Sequence, residues 1–306
     1  MPSFTWEGHA LHYREAGQPG RPLLLILPGS TASSASHLGD LKHFGRSHHV
    51  AALDYLGTGG SDRLENWPLD WWESGAAQAA ALAAHLGVTR YRLLGCSGGG
   101  TVALLAAAAR PDEVSAVIAD SCAEYLDPSD LRRIVGGRLP GVVANEATRD
   151  DEQASDDGEA GQGRATPSGT GIVEQPFPGS FTEWVWREGP RQLRRLIAPP
   201  RRGFWRQAHG DDWADVVAAD SSLLMELAER GGWKPLQGRL GDIRCPVLLT
   251  SSLGDEELPS VVPSHQRMAQ GITDCRLWVT PRGGHPAMWT DKRGFRRRAD
   301  RFLSGL

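Results

Sequence analysis

A serine hydroxyl attacks a carbonyl only when a base takes its proton and preset donors receive the oxyanion that forms. The stretch Gly95-Cys96-Ser97-Gly98-Gly99 fits G-x-S-x-G. It lies between the apolar run Tyr91 to Leu94 and an Ala/Leu-rich segment from Thr101, where a strand would turn sharply into a helix and lift Ser97 out of the sheet. Small residues are required at 95 and 99, because side chains there would strike neighbouring backbone in so tight a turn. In a chain with 37 glycines the pattern alone is weak, and a glycine-rich turn with a capping serine is its plain alternative. The context between strand and helix favours the nucleophile.

Of the 10 histidines, His285 lies in a Gly-Gly-His-Pro loop just after a late apolar run, where a base could reach across to Ser97. His48 and His49 precede a strand, His85 ends a helix and His265 sits within one. The orienting acid should follow the penultimate strand, and Ser251-Ser252-Leu253-Gly254-Asp255 supplies Asp255 there. Glu256 and Glu257 adjoin it, and Asp120, ending the run Val114 to Ala119, is a second candidate acid. The backbone N–H of Gly98 and that of Ser30 are expected as the two oxyanion donors, with Thr31 as the near alternative to Ser30.

These residues need a rigid frame. Leu23 to Leu27 is a continuous apolar run ended by Pro28-Gly29, and Val50 to Leu53 repeats the pattern before Asp54. Both read as strands buried on two faces. Thr5 to Glu7 and Leu11 to Glu15 read as an opening hairpin. Helices are expected over Ala76 to Leu86 and Thr101 to Ala109, with strands at Tyr91 to Leu94 and Val114 to Ala119. The alternation resumes with strands at Pro246 to Thr250 and Cys275 to Val279, and helices at Val261 to Gln270 and Gly294 to Leu303. Such alternation implies a mostly parallel sheet with helices on both faces. The basic run Arg296 to Arg298 reads as a solvated helix face.

Between these halves the pattern breaks. Arg149 to Gly171 is acidic and rich in small residues, and reads as a flexible loop. Helix-like segments follow at Phe181 to Trp186, Arg191 to Ile197 and Trp213 to Leu227. Trp184, Trp186, Trp205, Trp213 and Trp233 all fall in this block, out of 11 tryptophans in the chain. An insertion between sheet strands is a natural lid over the strand ends where such folds bind ligands. The organisation expected is a core over residues 1–126, a helical cap over 127–241 with a loop near 149–171, and the rest of the core over 242–306.

The charge is nearly balanced, 33 basic against 37 acidic residues, so no basic face for nucleic acid is expected. No apolar run approaches the roughly 18 residues of a membrane span, and no leader is visible in the polar first residues. Cys96, Cys122, Cys245 and Cys275 are widely spaced, which gives neither a metal cluster nor a redox pair, and reduced thiols suggest the cytoplasm. No cofactor and no metal is expected, and the oligomeric state is open.

Leu25-Ile26-Leu27-Pro28-Gly29, the Asp54-to-Asp62 stretch, Gly95 to Gly100, Gly254-Asp255 and Gly284-His285 together resemble the α/β-hydrolase superfamily. Within it the pattern is most similar to the biphenyl-hydrolase-like group, which includes the valacyclovir-hydrolase type. The resemblance implies an α/β-hydrolase fold with a helical lid, a triad of Ser97, Asp255 and His285, and a structural turn rather than a phosphate loop at Asp54 to Asp62. One position departs. In the amino-ester hydrolases of that group an Asp follows the nucleophile and receives the substrate's ammonium, whereas Gly98 stands here. A preference for α-amino esters therefore does not carry over. The expected function is hydrolysis of a small, largely apolar carboxylic ester through an acyl-enzyme. Alternatives are a lactonase, a C–C bond hydrolase or a secondary-metabolite tailoring enzyme on the same triad, and, from another class, a ligand-binding protein without catalysis.

Overall fold

Five consecutive apolar residues can be buried on both faces of a strand only if layers cover the sheet on each side. The computed structural model, which describes residues 1–64, 66–138, 190–191, 194 and 199–306, shows this arrangement. Strands β3 (Leu23–Leu27) and β4 (His49–Leu53) are buried at every position. They sit inside a sheet completed by β1 (Ser3–Trp6), β2 (His9–Ala16), β5 (Tyr91–Cys96), β6 (Val114–Asp120), β7 (Val247–Ser252) and β8 (Cys275–Thr280). Among the described residues the order is β1-β2-β4-β3-β5-β6-β7-β8. The pairs β1·β2 and β2·β4 are antiparallel and all others parallel, as the alternating sequence pattern requires.

Alternate residues of the strands feed two cores, because side chains along a strand point to opposite faces. On one face Leu23, Leu25, Leu27 and Leu93 pack with helices α2 (Trp71–His85) and α3 (Gly98–Ala109). On the other, Leu24, Ile26, Val50 and Leu94 meet Leu41 and Phe44 of α1 (Leu38–Phe44) and Phe295 and Phe302 of α9 (Lys292–Ser304). Between β6 and β7 the described helices are α4 (Pro128–Arg138), α5 (Pro199–His209) and α6 (Trp213–Glu229). Helix α7 (Val261–Gly271) joins β7 to β8, and the short α8 (Ala287–Thr290) precedes α9.

Most elements fall where the sequence puts them, and the differences have physical causes. Helix α2 starts at Trp71, five residues before the alanine run, because buried Trp71 and Trp72 anchor its first turn to the core. Helix α3 starts at Gly98 and so includes three glycines of poor propensity. Contact decides there: a Cβ on Gly99 would lie 2.1 Å from the Leu27 carbonyl oxygen. Helices α1 and α4 carry no strong apolar period and were not expected. The segments Phe181 to Trp186 and Arg149 to Gly171, most of Arg191 to Ile197, and Trp184 and Trp186 lie outside the described residues. Among the described residues no helix is long and apolar enough to cross a membrane.

The arginine run on α9 needs a correction. Arg297 and Arg298 are exposed, but Arg296 reaches under the sheet face, its Nη2 donating to Asp40 Oδ1 at 2.8 Å. Asp40 is 2 % exposed and also meets His37 Nδ1 at 3.3 Å. Burial pushes the Asp40 carboxyl up, yet its bonds to His37 and Arg296 outweigh this and hold it below the usual carboxylate range. The pair clamps α1 to α9. Asp40→Ala should destabilise the fold by about 3 kcal/mol in urea denaturation, because it strands a partly buried guanidinium. The wild-type contribution of Asp40 is present above the ordinary carboxylate pKa and is lost as pH falls through the lowered one.

Candidate functional site

At the end of β5 the chain reverses within one residue. Ser97 has φ 52° and ψ −127°, a left-handed conformation that costs a non-glycine residue about 1–3 kcal/mol and persists only where surroundings impose it. The imposition is visible. A Cβ on Gly95 would sit 2.0 Å from the Gly99 oxygen, so strand and helix approach closer than any side chain permits. The Ser97 N–H donates to the Asp120 carbonyl at the end of β6, 2.7 Å away. Ser97 thus stands at the N-terminus of α3, where free N–H groups and the helix dipole favour negative charge.

Ser30 lies alongside. A Cβ built on Gly98 would be 2.4 Å from Ser30 Oγ, 3.0 Å from Trp72 Nε1 and 3.5 Å from the Ser30 backbone nitrogen. The expected donors at residues 98 and 30 are therefore neighbours. The Thr31 carbonyl is taken by His209 Nε2, at 3.1 Å.

His285 and Asp255 arrive from the loops after β8 and β7. His285 Nδ1 lies 2.9 Å from Asp255 Oδ2 and 3.1 Å from Oδ1. Both side chains are nearly inaccessible, 6 % and 1 % exposed. The Leu258 N–H also donates to Asp255 Oδ1, at 2.8 Å, which fixes the carboxylate. Burial lowers the His285 pKa, but the Asp255 hydrogen bond and the charges of Asp255, Glu257 and Asp120 outweigh it, so the imidazole titrates above its ordinary value. Glu257 Oε2 lies 3.8 Å from Nε2, the other ring nitrogen.

Asp120 does something different. Its Oδ1 accepts from Thr250 Oγ1 at 2.5 Å and its Oδ2 from the Met288 N–H at 2.9 Å, three residues past His285. Complete burial pushes its carboxyl up to about 7, although both hydrogen bonds favour the ion. The histidine pairs with Asp255, while Asp120 ties the histidine loop to the strand beside Ser97. Of the other histidines, His265 and His209 are held down to about 4 by burial, and their ring nitrogens serve backbone groups.

The Asp54-to-Asp62 stretch shapes the neighbouring loop. Asp54 Oδ1 accepts from the Ser34 N–H at 2.6 Å and Oδ2 from the Gly60 N–H at 2.9 Å. Gly59, at φ 54°, passes so close that a Cβ would lie 2.2 Å from Asp54 Oδ2. Helices α5 and α6 dock on these same loops. Ser33 Oγ donates to the Ala208 carbonyl at 2.8 Å, the Gly59 N–H donates to His209 Nδ1 at 3.0 Å, and Arg63 Nε donates to Asp212 at 2.7 Å.

Two residues of the site escape a reading by motif. Trp72 on α2 and Asp220 on α6 are almost wholly buried, at 1 % and 0 % exposure. Asp220 pairs with Arg138 of α4 and faces Ser30. The one signal in the sequence was an acid set among Ala218, Ala219, Leu223 and Leu224.

A family model described as alpha/beta hydrolase fold matches residues 22–155, from β3 past β6. The chain has the α/β-hydrolase fold. Its sequence is similar to lipase LipV of Mycobacterium tuberculosis, 33% identical over 135 residues, which are 42% of this chain and 48% of that protein. It is also similar to the human serine hydrolase BPHL, 34% identical over 128 residues, or 40% of this chain and 43% of that one. The chain thus spans less than half the length of either curated relative. The solved structure of an enol-lactonase from Burkholderia xenovorans matches 99% of this chain and 100% of its own, with a TM-score of 0.67 at 18% identity.

Followed by NMR, the His285 imidazole should titrate above the roughly 6.5 of a free histidine. Asp255→Asn should bring the midpoint below that value, because burial then acts without its counterweight. Glu257→Gln should lower it by less than about one pH unit, since water screens this partly exposed carboxylate.

Proposed function

We propose that this α/β hydrolase is a serine hydrolase that cleaves a small, largely apolar carboxylic ester through Ser97, His285 and Asp255. The observation that carries the proposal is the strained backbone of Ser97 at the head of α3, its N–H bonded to the residue that also anchors the His285 loop. Backbone strain of that kind clusters at functional sites, and buried Ser121, next to Asp120, shares it at φ 49°. The similarity to proteins named as a lipase and a serine hydrolase supports the same class.

In the proposed reaction His285 Nε2 takes the Ser97 proton as Oγ attacks the carbonyl carbon. The Gly98 and Ser30 N–H groups hold the tetrahedral oxyanion. Collapse expels the alcohol, which takes its proton from His285 and leaves Ser97 acylated. Water, deprotonated by the same histidine, then attacks the acyl-enzyme and releases the acid. Asp255 keeps Nδ1 protonated, so Nε2 is free to act as base, and stabilises the imidazolium. Protons and one acyl bond are all that move, so the scheme calls for no cofactor. Residues 127–241 are proposed as the cap, whose helices would cover the acyl group. Trp72, which lies next to Gly98, and Trp233, whose ring centre is 4.3 Å from that of Trp72, would supply apolar surface to the pocket.

Ser97→Ala should remain folded and lose p-nitrophenyl butyrate hydrolysis by about 10⁴-fold or more. A fluorophosphonate should label the wild-type peptide bearing Ser97 and no peptide of the variant. Retained turnover in a clean Ser97→Ala preparation would refute the mechanism. Asp255→Asn should lower kcat by about 10⁴-fold, as loss of the orienting acid does in serine proteases. Asp120→Asn should cost less; the reverse ranking would make Asp120 the acid.

A further inference from the structure

The turn that presents the Ser30 N–H runs from Gly29 to Ala32, closed by the Ala32 N–H on the Gly29 carbonyl at 2.9 Å. The Thr31 carbonyl faces out of this turn and meets His209, the last residue of α5. His209 is buried and uses both ring nitrogens on backbone. The Gly59 nitrogen lies 3.0 Å from Nδ1, and the Thr31 oxygen 3.1 Å from Nε2. A backbone N–H only donates and a carbonyl only accepts. The tautomer is therefore fixed: Nδ1 is bare, Nε2 carries the proton, and the ring is neutral. An imidazolium would set a second proton against the Gly59 N–H, and burial also opposes it, holding the ring down to about 4. Residue 209 is anchored as well. Its carbonyl accepts from Arg63 Nη2 at 3.1 Å, and Arg63 is itself paired with Asp212.

Each of these bonds feeds the next. The Thr31 carbonyl that accepts from His209 and the Ala32 N–H belong to one peptide group. The Gly29 carbonyl that accepts from Ala32 and the Ser30 N–H belong to another. That second peptide lies against the nucleophile, since a Cβ built on Gly29 would be 3.3 Å from the Ser97 Cβ. A single line of donors thus runs from the Gly59 N–H through the His209 ring and two peptide groups to the Ser30 N–H. All of them point the same way, so each bond polarises its neighbour and strengthens the last donor. Resting on the serine-hydrolase reading, we propose that His209 is a positioning residue for the oxyanion hole: through Nε2–H it orients and polarises the two peptides that end at the Ser30 N–H. The ester itself never touches it. Ser33, whose Oγ donates to the Ala208 carbonyl at 2.8 Å, docks α5 on the same loop but stands outside this line.

Two substitutions divide the roles of the ring. A Gln amide nitrogen can stand at Nε2 and donate to Thr31, whereas an Asn oxygen can stand at Nδ1 and only accept from Gly59. With p-nitrophenyl butyrate, His209→Asn should lower kcat by about 10- to 100-fold, less than outright deletion of an oxyanion donor. KM should change by less than about threefold, because the bonds at stake act in the transition state. His209→Gln should recover most of the loss, and Ser33→Ala should cost less than His209→Asn. A role in docking α5 alone would make Ser33→Ala as costly as His209→Asn, or would raise KM and spare kcat, and either result would overturn the proposal. So would a His209→Gln enzyme no better than His209→Asn. Amide hydrogen exchange reads the same line of bonds without any turnover. The Ala32 N–H should exchange at least about tenfold faster in His209→Asn than in the wild type and slow again in His209→Gln. Unchanged Ala32 exchange in His209→Asn sinks the positioning role even if esters are hydrolysed. The expected exchange pattern in a wild-type protein that hydrolyses no ester supports the line of bonds and rejects only the serine-hydrolase reading.

Discussion

The contact between β5 and α3 at Gly95 and Gly99 is the constraint on which the rest of the site depends. Two backbones meet at a separation that excludes a Cβ, and the only way for the chain to continue is through the left-handed turn at Ser97. That turn costs energy, which the packing of Leu27, Gly29 and the first turn of α3 offsets. In return the serine is presented at a helix N-terminus with its N–H tied to β6, rather than buried in the sheet. Every other group of the site is placed relative to this point.

Asp120 shows how a sheet converts that local geometry into a site. Parallel pairing sets Cys96 opposite Asp120, and Asp120 in turn pairs with Thr250 of β7. The same residue receives the Ser97 N–H on its carbonyl and the Met288 N–H on its carboxylate. A buried carboxylate with both oxygens occupied is a poor proton acceptor for a moving imidazole and a good rivet. Asp255, on a loop where both oxygens face His285 Nδ1, suits the orienting role better. The position of Asp120 after its strand made it a fair candidate in the sequence; its hydrogen bonds separate the two acids.

The substrate side was the least legible. Composition pointed to an apolar pocket because the middle of the chain is rich in tryptophan, yet Trp205 and Trp213 stack on one another within the insertion. Trp72, from the core helix α2, is the tryptophan that reaches Gly98. Asp220 resisted prediction for a related reason. An acid on an apolar helix face looks like an error in amphipathic pattern until the neighbouring chain shows what faces it. Arg138, its partner, is 82 residues away in sequence, and Ser30 further still.

The sequence by itself determined the strand and helix alternation, hence the parallel sheet, and the order of Ser97, Asp255 and His285 along it. Those features rest on local rules: apolar runs bury, glycine permits tight turns, and ends of strands are where loops begin. It also determined that residue 98 cannot carry a carboxylate. Only the tertiary structure decided which acid meets the histidine, which arginine of α9 pairs with a buried carboxylate, and which polar atoms surround Gly98. Each of these depends on residues far apart in the chain brought within a few ångströms, and on desolvation at that meeting point, for which no single segment holds the pattern.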